Sequence, residues 1–322
     1  MYSASPAIMQ VAADAEAARS RIEAHITRTP CLASRQDNGL WFKCENFQQT
    51  GSFKLRGAMS KLTMLDTATE VITASSGNHG IACSHAARTS GHRLTVVLPE
   101  GVDAEKLKKI KSFGTRVVLH PGDSGKAEKH ARQLAADTGC VYVSPYNDAV
   151  VMAGQGSIGL ELLEQMPVID NLFVSLGGGG LVSGVSSVIK SVSPDTRIIG
   201  VSAMHSAALE ASIRVGRVIE TEHRDTLADG CAGGIDENAL TLPIASEVID
   251  EFVHCSEDAI AEALYQLAWQ EKMLVEGAAA LAYAGYLAAS EQYADQTNVV
   301  LLCGSNFDMG VVQPIIARNT VD

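Results

Sequence analysis

Aromatic residues are scarce, at 5% of 322 residues, which leaves little material for the stacking platforms that single-stranded nucleic acids require. Basic charge is scarce too. The chain has 25 Lys and Arg against 37 Asp and Glu, for a formal net charge of -12, and this excludes a binder that works by neutralising phosphates. No apolar run approaches the ~20 residues that cross a bilayer, so no membrane partner is expected. The N-terminus, MYSASPAIMQVAADAEAARSRIEAHI, lacks the basic stretch and apolar core of a secretory signal. It reads as a short flexible lead-in followed by an alanine-rich helix. Cysteine is present but unpatterned: Cys31, Cys44, Cys83, Cys140, Cys231, Cys255 and Cys303 are odd in number, with no C-x-x-C pair. That suits reduced, mostly buried thiols in the cytoplasm and not a disulfide framework or a zinc site. The spacing of His79 and His85 fits neither a helical zinc pair nor a triad, so no metal is expected from them.

What is there is apolar bulk. With 46% hydrophobic residues the chain can bury a large core, and its length predicts two lobes. Short β-branched runs alternate with helical patterns. Strands are expected at 41–44, 71–74, 94–98, 116–119, 141–144, 172–175, 198–202, 252–254 and 299–302. Helices are expected at 81–89, 105–112, 126–137, 154–165, 258–271 and 278–290. Several strands are almost continuously apolar, as parallel strands covered on both faces are. The expected class is α/β with mainly parallel sheets flanked by helices. Lys106, Lys108, Lys109 and Lys111 read as a solvated basic face of one helix.

Three segments carry chemistry. In Thr50-Gly51-Ser52-Phe53-Lys54-Leu55-Arg56-Gly57-Ala58 a lysine sits between two apolar neighbours after a turn. Desolvation lowers a lysine pKa and exposes the nucleophilic amine that a Schiff-base lysine needs. The bland reading is a helix-start lysine that snorkels to water. In Thr73-Ala74-Ser75-Ser76-Gly77-Asn78-His79-Gly80 a strand runs into a helix start, where free N–H groups and Ser/Asn donors suit a carboxylate. The bland reading there is a capping box. In Ser175-Leu176-Gly177-Gly178-Gly179-Gly180-Leu181 four glycines permit positive φ and converging N–H groups. The spacing fits neither G-x-G-x-x-G nor a Walker loop, so a phosphate cup of another kind is expected, against a structural glycine turn. A Schiff-base lysine, a carboxylate-binding helix start and a phosphate cup together describe a pyridoxal-phosphate site.

SFKLRGA, SSGNHG and GGGGL, in this order and spacing, resemble the serine/threonine dehydratase and serine racemase group of the tryptophan-synthase-β-like pyridoxal-phosphate enzymes. The resemblance extends over nearly the whole chain, including Val275-Glu276-Gly277 and the terminal LLCGSN. It implies a large cofactor-binding unit of residues 1–60 and 148–322, a small inserted α/β unit of residues 61–147, and the cofactor in the cleft between them. It also implies that Lys54 holds pyridoxal 5'-phosphate and removes the Cα proton, that Phe53 packs on the ring, and that Asn78 binds the ring hydroxyl oxygen. Gly177, Gly178, Gly179, Gly180 and Leu181 would hold the phosphate, and Glu276 would stand beside the cofactor. Ser75, Ser76, Gly77 and His79 would line the substrate carboxylate pocket. Cys303, or else Ser305, would face the ring nitrogen as a neutral partner. Ser76 is also the group that could return a proton on the opposite face in a racemase.

The activity implied is β-elimination from a β-hydroxy-α-amino acid, with L-threonine and L-serine first, giving a 2-oxo acid and ammonia in a cytoplasmic homodimer or homotetramer. Alternatives are an amino-acid racemase, a 3-hydroxyaspartate dehydratase, a dehydratase of hydroxyectoine catabolism, to which the Gly-Gly-Ile ending of residues 229–235 is similar, and a non-catalytic binding protein. Relatives with a divalent cation carry an acid where this chain has Ser202, so no tightly bound metal is expected there. The chain ends soon after its last expected strand, which predicts no C-terminal regulatory domain.

Overall fold

A computed structural model describes residues 4–318; the first three residues of the expected lead-in lie outside it. The elements follow in the order α1 (Pro6–Ile22), β1 (Cys31–Ala33), β2 (Leu40–Cys44), α2 (Lys54–Leu62), β3 (Val71–Thr73), α3 (Asn78–Ser90), β4 (Leu94–Pro99), α4 (Ala104–Lys111), β5 (Arg116–His120), α5 (Ser124–Thr138) and β6 (Val141–Tyr142). Then come α6 (Ala149–Gln165), β7 (Asn171–Ser175), α7 (Gly180–Val192), β8 (Arg197–Ala203), α8 (Ala208–Val215), α9 (Thr241–Val248), β9 (Glu251–Cys255), α10 (Glu257–Trp269), α11 (Gly277–Ala289), β10 (Asn298–Leu302) and α12 (Met309–Ile316).

The strands make two sheets, one ordered β1-β2-β10-β7-β8-β9 and the other β5-β4-β3-β6. Every pairing is parallel except β1 with β2. The α/β class with two mainly parallel sheets is as expected. Continuous apolar runs mark the centre of the larger sheet, where β7 and β10 are buried at every residue between helices on both faces. Strand β1 escaped notice because it is a three-residue edge with two exposed positions and shows no apolar period. Strand β6 is shorter than its apolar run, because the Val143 carbonyl is taken by the Thr73 hydroxyl and the His79 ring.

Helix α6 begins five residues before its expected start at Gly154. Asp148 caps it, its carboxylate accepting from the Val150 and Val151 N–H groups, and the helix then runs through three glycines. A glycine inside a helix costs ~1 kcal/mol relative to alanine, and here close packing requires it. A Cβ on Gly154 would stand 2.5 Å from the Arg56 carbonyl oxygen, and one on Gly159 would stand 2.7 Å from that of Val185. Helix α6 thus lies against the backbones of both α2 and α7, and it fixes the helix that begins at Lys54 relative to the helix that begins at Gly180. The two glycine-containing turns, the start of α2 and the end of β10 all lie at the carboxyl ends of parallel strands or beside them, where open α/β sheets place their sites.

Candidate active site

Lys54 opens α2 after a tight approach from β2. Gly51 turns with φ +76, Ser52 bridges to Gly304, and the Phe53 N–H donates to the Cys303 carbonyl at 3.0 Å. The Lys54 ammonium lies 5.0 Å from the Phe53 ring centroid and donates to the Pro145 carbonyl at 2.8 Å. Burial lowers its pKa; the neighbouring Cys231, Cys303 and Cys83 side chains and then the Glu276 carboxylate oppose that shift. Among the described residues no carboxylate lies within hydrogen-bond reach of the ammonium.

Two residues on, Arg56 is fully buried and anchors the same turn. Its guanidinium donates to Glu45 at 2.8 and 2.9 Å and to Glu161 at 2.7 and 2.9 Å. Lys43, also fully buried, meets Glu161 at 2.5 Å and the Thr29 carbonyl at 2.8 Å. This two-cation, two-anion lattice was not read from the sequence. Its only signal there is charge at inward positions, such as Lys43 in LWFKC.

The second wall is the start of α3. No side chain among the described residues caps it, so the capping-box reading does not hold, and the Asn78, His79 and Gly80 N–H groups of its first turn have no acceptor among the described residues. Ser75 Oγ accepts from the Gly77 N–H at 3.2 Å. A methyl on Gly80 would collide with the Ser75 carbonyl oxygen, so this turn admits only glycine there. Ser76 is half-buried and its hydroxyl has no partner among the described residues. The His79 imidazole turns away from the cleft. It is buried, with Nε2 3.0 Å from the Val143 carbonyl, and burial, then the Lys54 charge, push its pKa down to about 3. Only the backbone of His79 is placed to line a carboxylate pocket.

The third wall is the glycine turn between β7 and α7. Gly179 has φ +88 and, as the N-cap, gives no side chain to the first turn of α7. The loop is walled by residues that sequence reasoning missed. A Cβ on Gly178 would stand 2.5 Å from the Tyr146 ring, one on Gly179 2.9 Å from Thr241 Cβ, and one on Gly177 3.2 Å from Cys231 Cα. Thr241 donates to the Gly178 carbonyl at 2.7 Å, and Leu181 packs into the core.

Glu276 closes the fourth side. It occupies the N-cap position of α11, but its side chain makes no cap hydrogen bond there. Its carboxylate instead accepts from Asn78 Nδ2 at 2.7 Å and from the Asn306 N–H at 3.0 Å. Burial raises its pKa to about 7 against those two donors. The Cys303 thiol is buried and its pKa is raised by burial and then by Glu276, so it is neutral at physiological pH. Ser305 sends its hydroxyl to the Asn46 and Gly51 carbonyls, 3.1 and 3.4 Å away.

Lys109 corrects the reading of a uniformly solvated lysine face. From α4 its ammonium crosses to Asn306 Oδ1 at 2.6 Å, and Asn306 Nδ2 in turn donates to Asn78 Oδ1 at 2.6 Å. On the other side of the cleft Arg132 of α5 pairs with Asp236 at 2.9 Å. Ser202 is buried in β8 with no partner for its hydroxyl. The nearby Glu210 carboxylate is engaged by Arg214 at 2.7 Å and lies 2.8 Å from His254 Nε2.

The site fits a phosphorylated aldehyde. Two helix N-termini without side-chain caps offer separate anion sites, one of them in a cradle that any Cβ would fill, and a desolvated amine stands with them. A family model described as pyridoxal-phosphate dependent enzyme matches residues 22–304. An L-threonine ammonia-lyase of Thermotoga maritima is 37% identical over 285 residues, 88% of this chain and 71% of the relative. The processed form of threonine deaminase isoform 2 from Solanum lycopersicum superposes with a TM-score of 0.91 at 29% identity, over 98% of this chain and 95% of that one. Maize serine racemase superposes with a TM-score of 0.87 at 29% identity, over 94% of this chain and 95% of that one.

Proposed function

The chain belongs to the pyridoxal-phosphate dependent enzyme family, and from that premise we propose that it is an ammonia-lyase that removes water from L-threonine or L-serine and releases a 2-oxo acid and ammonia. Relatives named for threonine deamination support the substrate. The observation that carries the reading is Lys54: a desolvated amine, bonded among the described residues only to a backbone carbonyl, between two helix starts without side-chain caps.

When bound, pyridoxal phosphate supplies an electron sink conjugated to the substrate Cα. Lys54 would hold the cofactor and, as a free amine, would take the Cα proton; that proton would pass to the departing β-hydroxyl, so that the C–O bond breaks and water leaves. The unsaturated amino acid released takes up water to give the 2-oxo acid and ammonia. The N–H groups from Asn78 onward, with Ser75, Ser76 and Gly77, hold the substrate carboxylate. Gly177 to Leu181 would hold the cofactor phosphate, Phe53 would pack on the ring, Asn78 would bind its hydroxyl oxygen, and Cys303 would face its nitrogen. A neutral thiol there would be a weak partner for the ring nitrogen, which suits elimination. The Ser76 hydroxyl has no hydrogen-bond partner among the described residues to activate it for proton return on the second face, which favours elimination over racemisation.

The chain works as the units 1–60 with 148–322 and 61–147, closing on the substrate, as a homodimer or homotetramer. Its seven free thiols suit the cytoplasm.

The test is 2-oxo acid release from L-threonine, L-serine and L-threo-3-hydroxyaspartate, with chiral analysis of the remaining substrate. Rapid 2-oxobutyrate or pyruvate formation with unchanged chirality is expected. Accumulation of the D-isomer with little oxo acid would replace this reading with a racemase, and turnover of hydroxyaspartate alone would replace the substrate.

A further inference from the structure

The hydrogen-bonded chain across the cleft has a polarity, and its outermost member is a cation. An ammonium group has three donors and no acceptor, so the atom of Asn306 that faces Lys109, 2.6 Å away, is the amide oxygen. That puts Asn306 Nδ2 on the inner side, where it donates to the Thr50 carbonyl at 2.8 Å and to Asn78 Oδ1 at 2.6 Å. Asn78, offered an N–H, presents its oxygen there and turns its own Nδ2 to Glu276 Oε1 at 2.7 Å. Of the two Nδ2 hydrogens, Glu276 takes one and leaves the other for the cleft. The backbone N–H of Asn306 closes the ring on the second Glu276 oxygen at 3.0 Å. Were the Asn306 amide reversed, an N–H would face the ammonium, oxygen would face the Thr50 carbonyl and the Asn78 oxygen, and Asn78 would have to reverse as well.

We propose that Lys109 is a positioning residue: with the Thr50 carbonyl and the Glu276 carboxylate it fixes the orientation of the Asn306 and Asn78 amides, so that Asn78 presents an N–H, not an oxygen, to the hydroxyl oxygen of the cofactor ring. This rests on the reading that Asn78 meets that oxygen. Lys109 is exposed on α4, so the fold tolerates its replacement. It also joins α4, on the four-stranded-sheet half, to the segment after β10.

The experiment is a fluorescence titration of the apoenzyme with pyridoxal phosphate, alongside melting temperatures of the apo forms and kcat and KM of the loaded ones. Lys109→Arg keeps a donor and should bind as the wild type does. Lys109→Met should weaken cofactor binding by about tenfold, the scale of one lost charge-assisted hydrogen bond. Lys109→Glu, an acceptor that asks Asn306 for an N–H, should weaken it further, all with unchanged melting. Amide orientation is insensitive to ionic strength, so both losses should persist at about 1 M salt, where exposed charges are screened. Wild-type affinity in Lys109→Met and Lys109→Glu, a loss in Lys109→Arg equal to that in Lys109→Met, or losses that vanish in high salt would each overturn the proposal. Asn78→Ala separates it from its premise. Unchanged cofactor affinity in that variant would remove the role of Asn78 itself, whereas a weak Asn78→Ala beside normal Lys109 variants would remove only the role of Lys109.

Discussion

Lys43 and Lys54 are both desolvated enough for burial to lower their pKa, yet they have opposite surroundings. Lys43 is surrounded by Glu161, Gln165 and the Thr29 carbonyl, inside a lattice whose charges cancel. Lys54 has one backbone carbonyl and a cleft in front of it. Burial by itself therefore does not identify a reactive amine. A buried lysine paired with carboxylates holds the fold together, and one bonded to a backbone carbonyl, beside two helix starts without side-chain caps, is the candidate for chemistry.

The largest expected effect is on Lys54. Lys54→Ala should remove the visible absorbance of the bound cofactor and lower turnover by at least ~10³-fold, with chemical denaturation little changed; near-wild-type 2-oxo acid release would refute the assignment. Lys43→Met should do the reverse, costing about 3–5 kcal/mol of stability in a urea titration while turnover per folded molecule is kept. Adding Glu161→Gln should recover part of that loss, since the uncompensated charge then disappears.

Glu276 extends the comparison to an anion. Its pKa rises from an ordinary 4.5 to about 7 on folding, so the native apoenzyme binds more protons than the unfolded chain in that window, and stability should fall as pH rises through it. The drop is up to about 3 kcal/mol. Glu276→Gln should flatten that slope, as measured by urea unfolding between pH 4.5 and 7. The smallest effect belongs to an ordinary exposed lysine. Lys108 stands 3.6 Å from Glu105 in the open, and Lys108→Ala should shift stability by less than about 0.5 kcal/mol.

The legible parts of this molecule were local. The apolar runs of β7 and β10, the glycines after β7 and the Ser-Ser-Gly turn after β3 each announce themselves within ten residues, and their order carries the cofactor. Partners brought from afar were not legible. The Arg56 lattice joins positions 43, 45, 56 and 161, Tyr146 and Thr241 wall the glycine turn, and Lys109 looks like its neighbours until the fold brings Asn306 within reach. His79 shows the converse: the motif places it at the helix start, while the turn geometry sends its ring into the core and leaves only its backbone at the cleft.

Strand β10 has one further consequence, for how the protein is made. It lies between β2 and β7, with Asn298 in register with both Leu40 and Asn171, so the larger sheet stays in two pieces until residues 298–302 have been synthesised. The four-stranded sheet draws all its strands from residues 71–142 and can assemble while translation continues, as contiguous units do. Phe53 receives its backbone partner, the Cys303 carbonyl, only when β10 has docked. The cofactor pocket is therefore a late product of folding, and a nascent chain paused before residue 298 should be unable to capture pyridoxal phosphate however well its smaller half has formed.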